Sequence, residues 1–155
     1  MRIDTTRLDL TINEPLTALA RMGAAAFGYT ADLGLDRHLA ELLRLRVAQI
    51  NNCSYCLRLH HRVARDIGVP HAKIDCLSSW WETRLFNDAE QAALAYGEAL
   101  TRSSDTTVAQ RFGPVHDRLA RHFDPDAISE IVGVVVNMNM WTRLKLAEGS
   151  MPATD

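Results

Sequence analysis

The chain has no apolar run approaching the roughly 20 residues needed to cross a bilayer. It also has no cluster of lysine or arginine, no repeat and no low-complexity tract. The first absence argues against a membrane-spanning helix. The second, with a formal charge of -2, leaves no basic face for nucleic acid. The opening MRIDTTRLDL lacks the charged-then-apolar layout of a signal peptide, so a cytoplasmic protein is expected. Cysteine is scarce, with three in 155 residues. In a reducing compartment a disulfide is more often transient than structural, and an odd count leaves Cys76 over. What remains is ordinary: 47% hydrophobic and 23% charged residues, in a length suited to one domain with its own core.

The informative stretch is Glu41 to His60, ELLRLRVAQINNCSYCLRLH. Cys53 and Cys56 are three apart, so on a helix both sulfurs can share a face at a separation a disulfide accepts. At about 100° per residue, Cys53, Cys56 and His60 fall within a stripe roughly 60° wide. Ala64 and Ile67 continue that stripe, while Ser54, Arg58, Arg62 and Arg65 cover the other side. The thiols and the imidazole are therefore expected under cover. Glu41 sits on a preceding helix that is apolar almost all round, and a buried carboxylate must be paired, hydrogen-bonded or protonated. Asn51-Asn52 breaks the pattern before Cys53, which predicts an antiparallel hairpin. Glu41 lies about 15 Å back from that turn and His60 about 11 Å beyond it, so the two can come level. The competing reading pairs Glu41 with Arg44 or Arg46.

Along the chain, residues 1–12 read as an arm, 13–148 as one helical domain and 149–155 as a tail. Asn13 caps a first helix that ends at Gly28. Asp36 opens the buried helix, and the cysteine helix stops at Gly68. A short helix is expected over His71 to Trp81, and another from the capping-box pair Asn87 and Glu90 to about Arg102. Helical turns from Thr107 to Phe123 are expected to break at Gly113-Pro114. Asp124-Pro125 opens the last helix, to about Ala147. Ile131 to Val136 is β-branched enough for a strand. Its capped start, and helical spacing through Met138, Trp141 and Leu144, favour helix. The fold expected is all-α: a single bundle of about six to seven helices, with Cys-x-x-Cys at the start of a central one.

The Glu, eleven residues, Cys-x-x-Cys-x-x-x-His pattern resembles the AhpD-like branch of the carboxymuconolactone decarboxylase superfamily. Leu45 to Asn51, Ser79 to Glu82, Phe86 to Leu94 and Asn139 to Arg143 are similar to that family's flanking segments, in the same order. Tyr55 departs from members that carry a histidine there. The resemblance implies a small all-helical peroxidase-type enzyme for organic hydroperoxides, a trimer or hexamer, reduced by a dithiol donor such as a lipoyl carrier protein. It also implies Cys56 as the peroxidatic thiol with Cys53 resolving. The residues alone leave that order open, because a helix N-terminus favours Cys53 as the acid and His60 favours Cys56. His60 would relay the proton, and Glu41 would hold its tautomer and stabilise its charged form.

Three other readings stand beside this one. The same side chains include zinc-ligand types, although structural zinc sites usually draw ligands from two segments. A lactone decarboxylase has no evident use for a thiol pair. A non-catalytic oligomeric module would have thiols indifferent to peroxide. No resident cofactor or metal is expected. His61 reads as a surface residue, and Cys76, His38, His71, His116 and His122 as structural. Trp80, Trp81 and Trp141 read as core or subunit-contact aromatics, and nothing in its spacing compels Asn139 toward the site.

Overall fold

A computed structural model describes residues 7–152 of the chain. Among them are eight α-helices and no strand: α1 (Glu14–Phe27), α2 (Arg37–Ile50), α3 (Ser54–Asp66), α4 (His71–Cys76), α5 (Asp88–Thr101), α6 (Thr106–Ala109), α7 (Phe112–Leu119) and α8 (Pro125–Glu148). The all-α architecture holds. Two of the eight, α4 and α6, are short pieces, which is why the number exceeds the six to seven expected.

Side-chain caps set most of the boundaries. Asn13, Asp36, Asn87 and Asp124 each accept a backbone N–H of the turn they open. Asn87 and Glu90 close a reciprocal capping box. Asp124 with Pro125 starts a helix of 24 residues, long enough to carry Ile131 to Val136 as helix despite their β-branching. Ile131, Val134, Val135, Met138 and Thr142 lie buried along one side of it.

Three expectations shift. The segment from His71 is helical only to Cys76, then tightens into a 3-10 stretch, Leu77–Glu82, kinked at Ser79. The break expected at Gly113-Pro114 falls instead before Phe112, between α6 and α7. Pro114 then occupies the first turn of α7, where its missing N–H has no intrahelical partner to lose. Of the expected arm, residues 1–6 lie outside the described residues. Residues 10–12 form a 3-10 turn, and Arg7 binds the carbonyls of Leu146 and Glu148 at the end of α8. Residues 153–155 of the expected tail are likewise outside the described residues.

Helix α2 is enclosed by α3, α5 and α8, so every residue from Leu39 to Ala48 is buried. An element walled on three sides has no solvent face on which to put its charges, and each must find a partner inside. Arg46 donates to Glu98 at 2.6 Å and to Gln49 at 3.0 Å, and the Trp80 indole donates to the same Glu98 oxygen. Helix α1 lies along α8, where Phe27 packs on Gly133 so closely that a Cβ there would collide with the ring. No helix among the described residues is long and apolar enough to cross a membrane.

Candidate active site

The α2–α3 connection is short because Asn51 and Asn52 make the turn. Asn52 adopts φ +53°, a left-handed conformation asparagine tolerates better than most residues. The Asn51 amide donates to Val47 O and to Asn139 Oδ1, tying the turn to α8. Asn139 also donates to Thr101 and to Val135 O, so it braces the hairpin and does not reach the thiols.

Cys53 is the N-cap of α3: its sulfur accepts the Cys56 N–H at 3.3 Å, where a serine or aspartate oxygen usually sits. One turn on, Cys56 is disulfide-bonded to Cys53, with Cα atoms 5.3 Å apart. Both are buried, as is His60. Across the hairpin, His60 Nδ1 and Glu41 Oε1 are 2.6 Å apart. An ionised carboxylate can only accept, so Nδ1 carries the proton and Nε2 is the nitrogen left free to exchange one.

The second carboxylate oxygen, Glu41 Oε2, accepts from Arg44 at 3.1 Å. Pairing with His60 and pairing with Arg44, posed by the sequence as alternatives, are therefore simultaneous. Arg44 also donates to the Phe27 and Gly28 carbonyls at the end of α1, with both distances 2.9 Å from its Nη2. Burial pushes the Arg44 guanidinium down from its usual range, and the Glu41 carboxylate works against that shift. Arg44 thus joins three things: the carboxylate, the C-terminus of α1, and the loop that begins with Tyr29. The Tyr29 ring meets His60 edge-on, with centroids 6.1 Å apart.

A cavity of about 400 Å³ opens on this group. Cys56 and His60 line it, and Cys53 does not. Its other walls come from α1, the Tyr29 loop, Arg44 of α2, α3 and α8, including Ala24, Tyr29, Leu59, Asn137, Met138 and Trp141. Lys145 closes one side, with its Nζ 5.1 Å from the centre of the Tyr55 ring, 5.7 Å from that of Trp141 and 2.8 Å from Glu148. Tyr55, the position that departs from the family pattern, is thus a cavity wall. Among the described residues no group of three or more His, Cys, Asp or Glu side chains is placed to hold a metal ion.

Glu41, Cys53, Cys56 and His60, the four candidates from the sequence, lie together. Arg44, Tyr29, Asn137 and Lys145 complete the surroundings and were not singled out as site residues, because nothing local marks them. His61 is half-buried, not a simple surface residue, and its Nδ1 is buried without a hydrogen-bond partner among the described residues. His38 is structural, its Nε2 lying 3.0 Å from Ile67 O. Trp80 is core, Trp81 is exposed and Trp141 lines the cavity.

A model of the carboxymuconolactone decarboxylase family matches residues 14–99. The uncharacterised protein YdfG of Bacillus subtilis (strain 168) is 29% identical over 126 residues, covering 81% of this chain and 84% of its own. Three solved structures share the fold. A protein of unknown function from Agrobacterium tumefaciens, provisionally described as the antioxidant defence protein AhpD, has TM-score 0.80 and 23% identity. The match covers 97% of this chain and all of that one. An uncharacterised peroxidase-related protein from Silicibacter sp. TM1040 has TM-score 0.72 and 20% identity over 98% and 94% of the two chains. The debrominase Bmp8, as a variant in complex with 2,3,4-tribromopyrrole, has TM-score 0.71 and 21% identity over 99% and 94%.

Proposed function

The chain belongs to the carboxymuconolactone decarboxylase family, with an AhpD-like fold, and from that premise we propose that it is a thiol peroxidase for organic hydroperoxides. One observation carries the reading. Cys56, disulfide-bonded to Cys53, shares a mainly apolar cavity with an imidazole whose Nδ1 is held by a buried carboxylate.

In the reduced protein His60 Nε2 takes the Cys56 thiol proton, and the thiolate attacks the distal oxygen of the hydroperoxide as the O–O bond breaks. The leaving alkoxide takes a proton from His60 Nε2 and departs as the alcohol. Glu41 holds the ring in one orientation and stabilises the charged form between the two proton transfers. The Cys53 thiol then attacks the Cys56 sulfenic acid, the S–S bond forms and water leaves. A dithiol donor, such as a lipoyl carrier protein, supplies two electrons and reopens the pair. Cys56 is peroxidatic because it faces the cavity. Cys53, enclosed beneath it at the helix cap, resolves. A reducing cytoplasm and a homo-oligomer, trimeric or hexameric, fit this chemistry.

Single-turnover hydroperoxide consumption with intact-mass analysis tests the assignment. Cys56→Ser is expected to abolish consumption, and Cys53→Ser to stop at a protein carrying one extra oxygen atom. The opposite pattern reverses the two roles. In the same assay Glu41→Gln should slow turnover by about tenfold or more while the protein stays folded. Full activity in that variant removes the relay from the mechanism. The likeness to a debrominase makes a bromopyrrole the informative control substrate, and a lactone the control for the activity in the family's name.

A further inference from the structure

The cavity holds one polar side chain that the chemistry above does not use. Asn137, on α8, is 6% exposed and lines the cavity beside Met138. Its Oδ1 is buried and has no hydrogen-bond partner among the described residues. A buried amide without partners is rare, and a free-energy penalty attaches to each unpaired atom. Structural amides nearby are not left this way: Asn51 and Asn139 on the same side of the molecule are both hydrogen-bonded.

The space around the amide is equally specific. It lies against Gly23 of α1, where a Cβ would come within 2.6 Å of Oδ1. The absence of a side chain at 23 is what lets α1 pass over the amide. A half-turn about the last side-chain bond exchanges oxygen and nitrogen, so the group can present either a donor or an acceptor.

We propose that Asn137 is a substrate-binding residue: its amide hydrogen-bonds the oxygen end of an organic hydroperoxide whose compact apolar body fills the cavity between Tyr29, Leu59, Met138 and Trp141. This rests on the peroxidase reading and adds what selects the substrate. A cavity of about 400 Å³ walled by aromatic and aliphatic side chains suits a branched or aryl hydroperoxide. Hydrogen peroxide would leave most of that wall uncovered. The amide fixes which end of the molecule lies toward Cys56 and His60. Near-attack geometry requires that orientation, because the thiolate must meet the distal oxygen and not the carbon body.

Two size-matched variants of the full chain, Asn137→Leu and Asn137→Asp, test it with two readouts. The first is kcat/KM for cumene hydroperoxide, expected to fall by about tenfold or more in Asn137→Leu, which can neither donate nor accept, and in Asn137→Asp, whose charge opposes the one developing on the leaving oxygen. The second is binding of the product alcohol, 2-phenylpropan-2-ol, to the disulfide form, followed by NMR shifts. Affinity is expected to fall by about tenfold in Asn137→Leu, and in the parent protein the side-chain amide pair that this variant lacks should move. Alkylation of Cys56 by iodoacetamide in reduced Asn137→Leu should change by less than about twofold, because that reaction does not use the amide and the variant adds no charge. Parent-like turnover and alcohol binding in both variants overturn the assignment. So does a fall in alkylation parallel to the fall in turnover, which is the signature of a merely structural role. If the parent binds the alcohol through Asn137 yet consumes no hydroperoxide, the peroxidase reading fails and the binding site stands. If it binds no alcohol, the binding site fails.

Discussion

The helix pairs α2–α3 and α1–α8, which both contribute to the cavity, satisfy their polar atoms in opposite ways. On the α2–α3 side three ionisable groups, Glu41, Arg44 and His60, are buried together, and the carboxylate has a partner at each oxygen. On the α1–α8 side Gly23 and Gly133 let two helices touch, and the cavity lining there, with Ala24, Met138 and Trp141, contains one amide without a partner among the described residues. The first side is a closed network that can hold a proton in a fixed place. The second is smooth and incomplete, as a surface meant to receive something else would be. A buried network is worth its desolvation only when complete, so the two sides should respond to substitution very differently.

The largest effect is expected at Arg44. Arg44→Met strands the Phe27 and Gly28 carbonyls and removes one of the two partners of Glu41, so about 3 kcal/mol of stability should be lost in chemical denaturation. A loss within about 0.5 kcal/mol would show that the network is not what holds α1 to α2. Next is Gly133→Ala at the α1–α8 contact. A methyl group there meets the Phe27 ring, and overpacking of this kind typically costs about 1–3 kcal/mol. The same substitution should leave the reactivity of Cys56 toward iodoacetamide unchanged, separating the two helix pairs in one experiment.

The smallest effect is at His61, on α3 but outside the network. Burial lowers its pKa below the ordinary 6.5, with Arg65 adding to the shift and Asp75 opposing it. Below about pH 6.5 the unfolded chain takes up a proton that the folded one resists, so folding stability falls as pH falls. Above that range both states are neutral and His61 contributes nothing. His61→Gln should therefore flatten the acid side of a stability-against-pH profile, and an unchanged profile would refute the assignment.

Much of the thiol side was legible in sequence because its geometry is local. A spacing of three between the cysteines and of four to the histidine fixes a face of one helix, and two asparagines fix the hairpin that brings Glu41 level with His60. The caps Asn13, Asp36, Asn87 and Asp124 are local as well, and they set helix starts where the spacing of apolar residues could not. The misplaced break near Gly113-Pro114 came from reading proline as an interruption when it lay in a first turn. The kink at Ser79 has no sequence signal that distinguishes it from continuing helix. No sequence signal separates Asn137 from Asn139, which is alike in type and only two residues away. About 200° of helix separates them, and which one meets the cavity depends on how α8 is rotated against α1 and α2.

The sequence by itself determined an all-α chain, a covered cysteine pair and a carboxylate within reach of the histidine, since each follows from periodicity or capping within neighbouring elements. Only the tertiary structure decided that Glu41 serves Arg44 and His60 together, that Cys56 and not Cys53 meets the cavity, and that an unpaired amide faces the same space. Those facts depend on contacts between segments as far apart as Gly23 and Asn137. Helical periodicity says which side chains share a face, and packing alone says what that face meets.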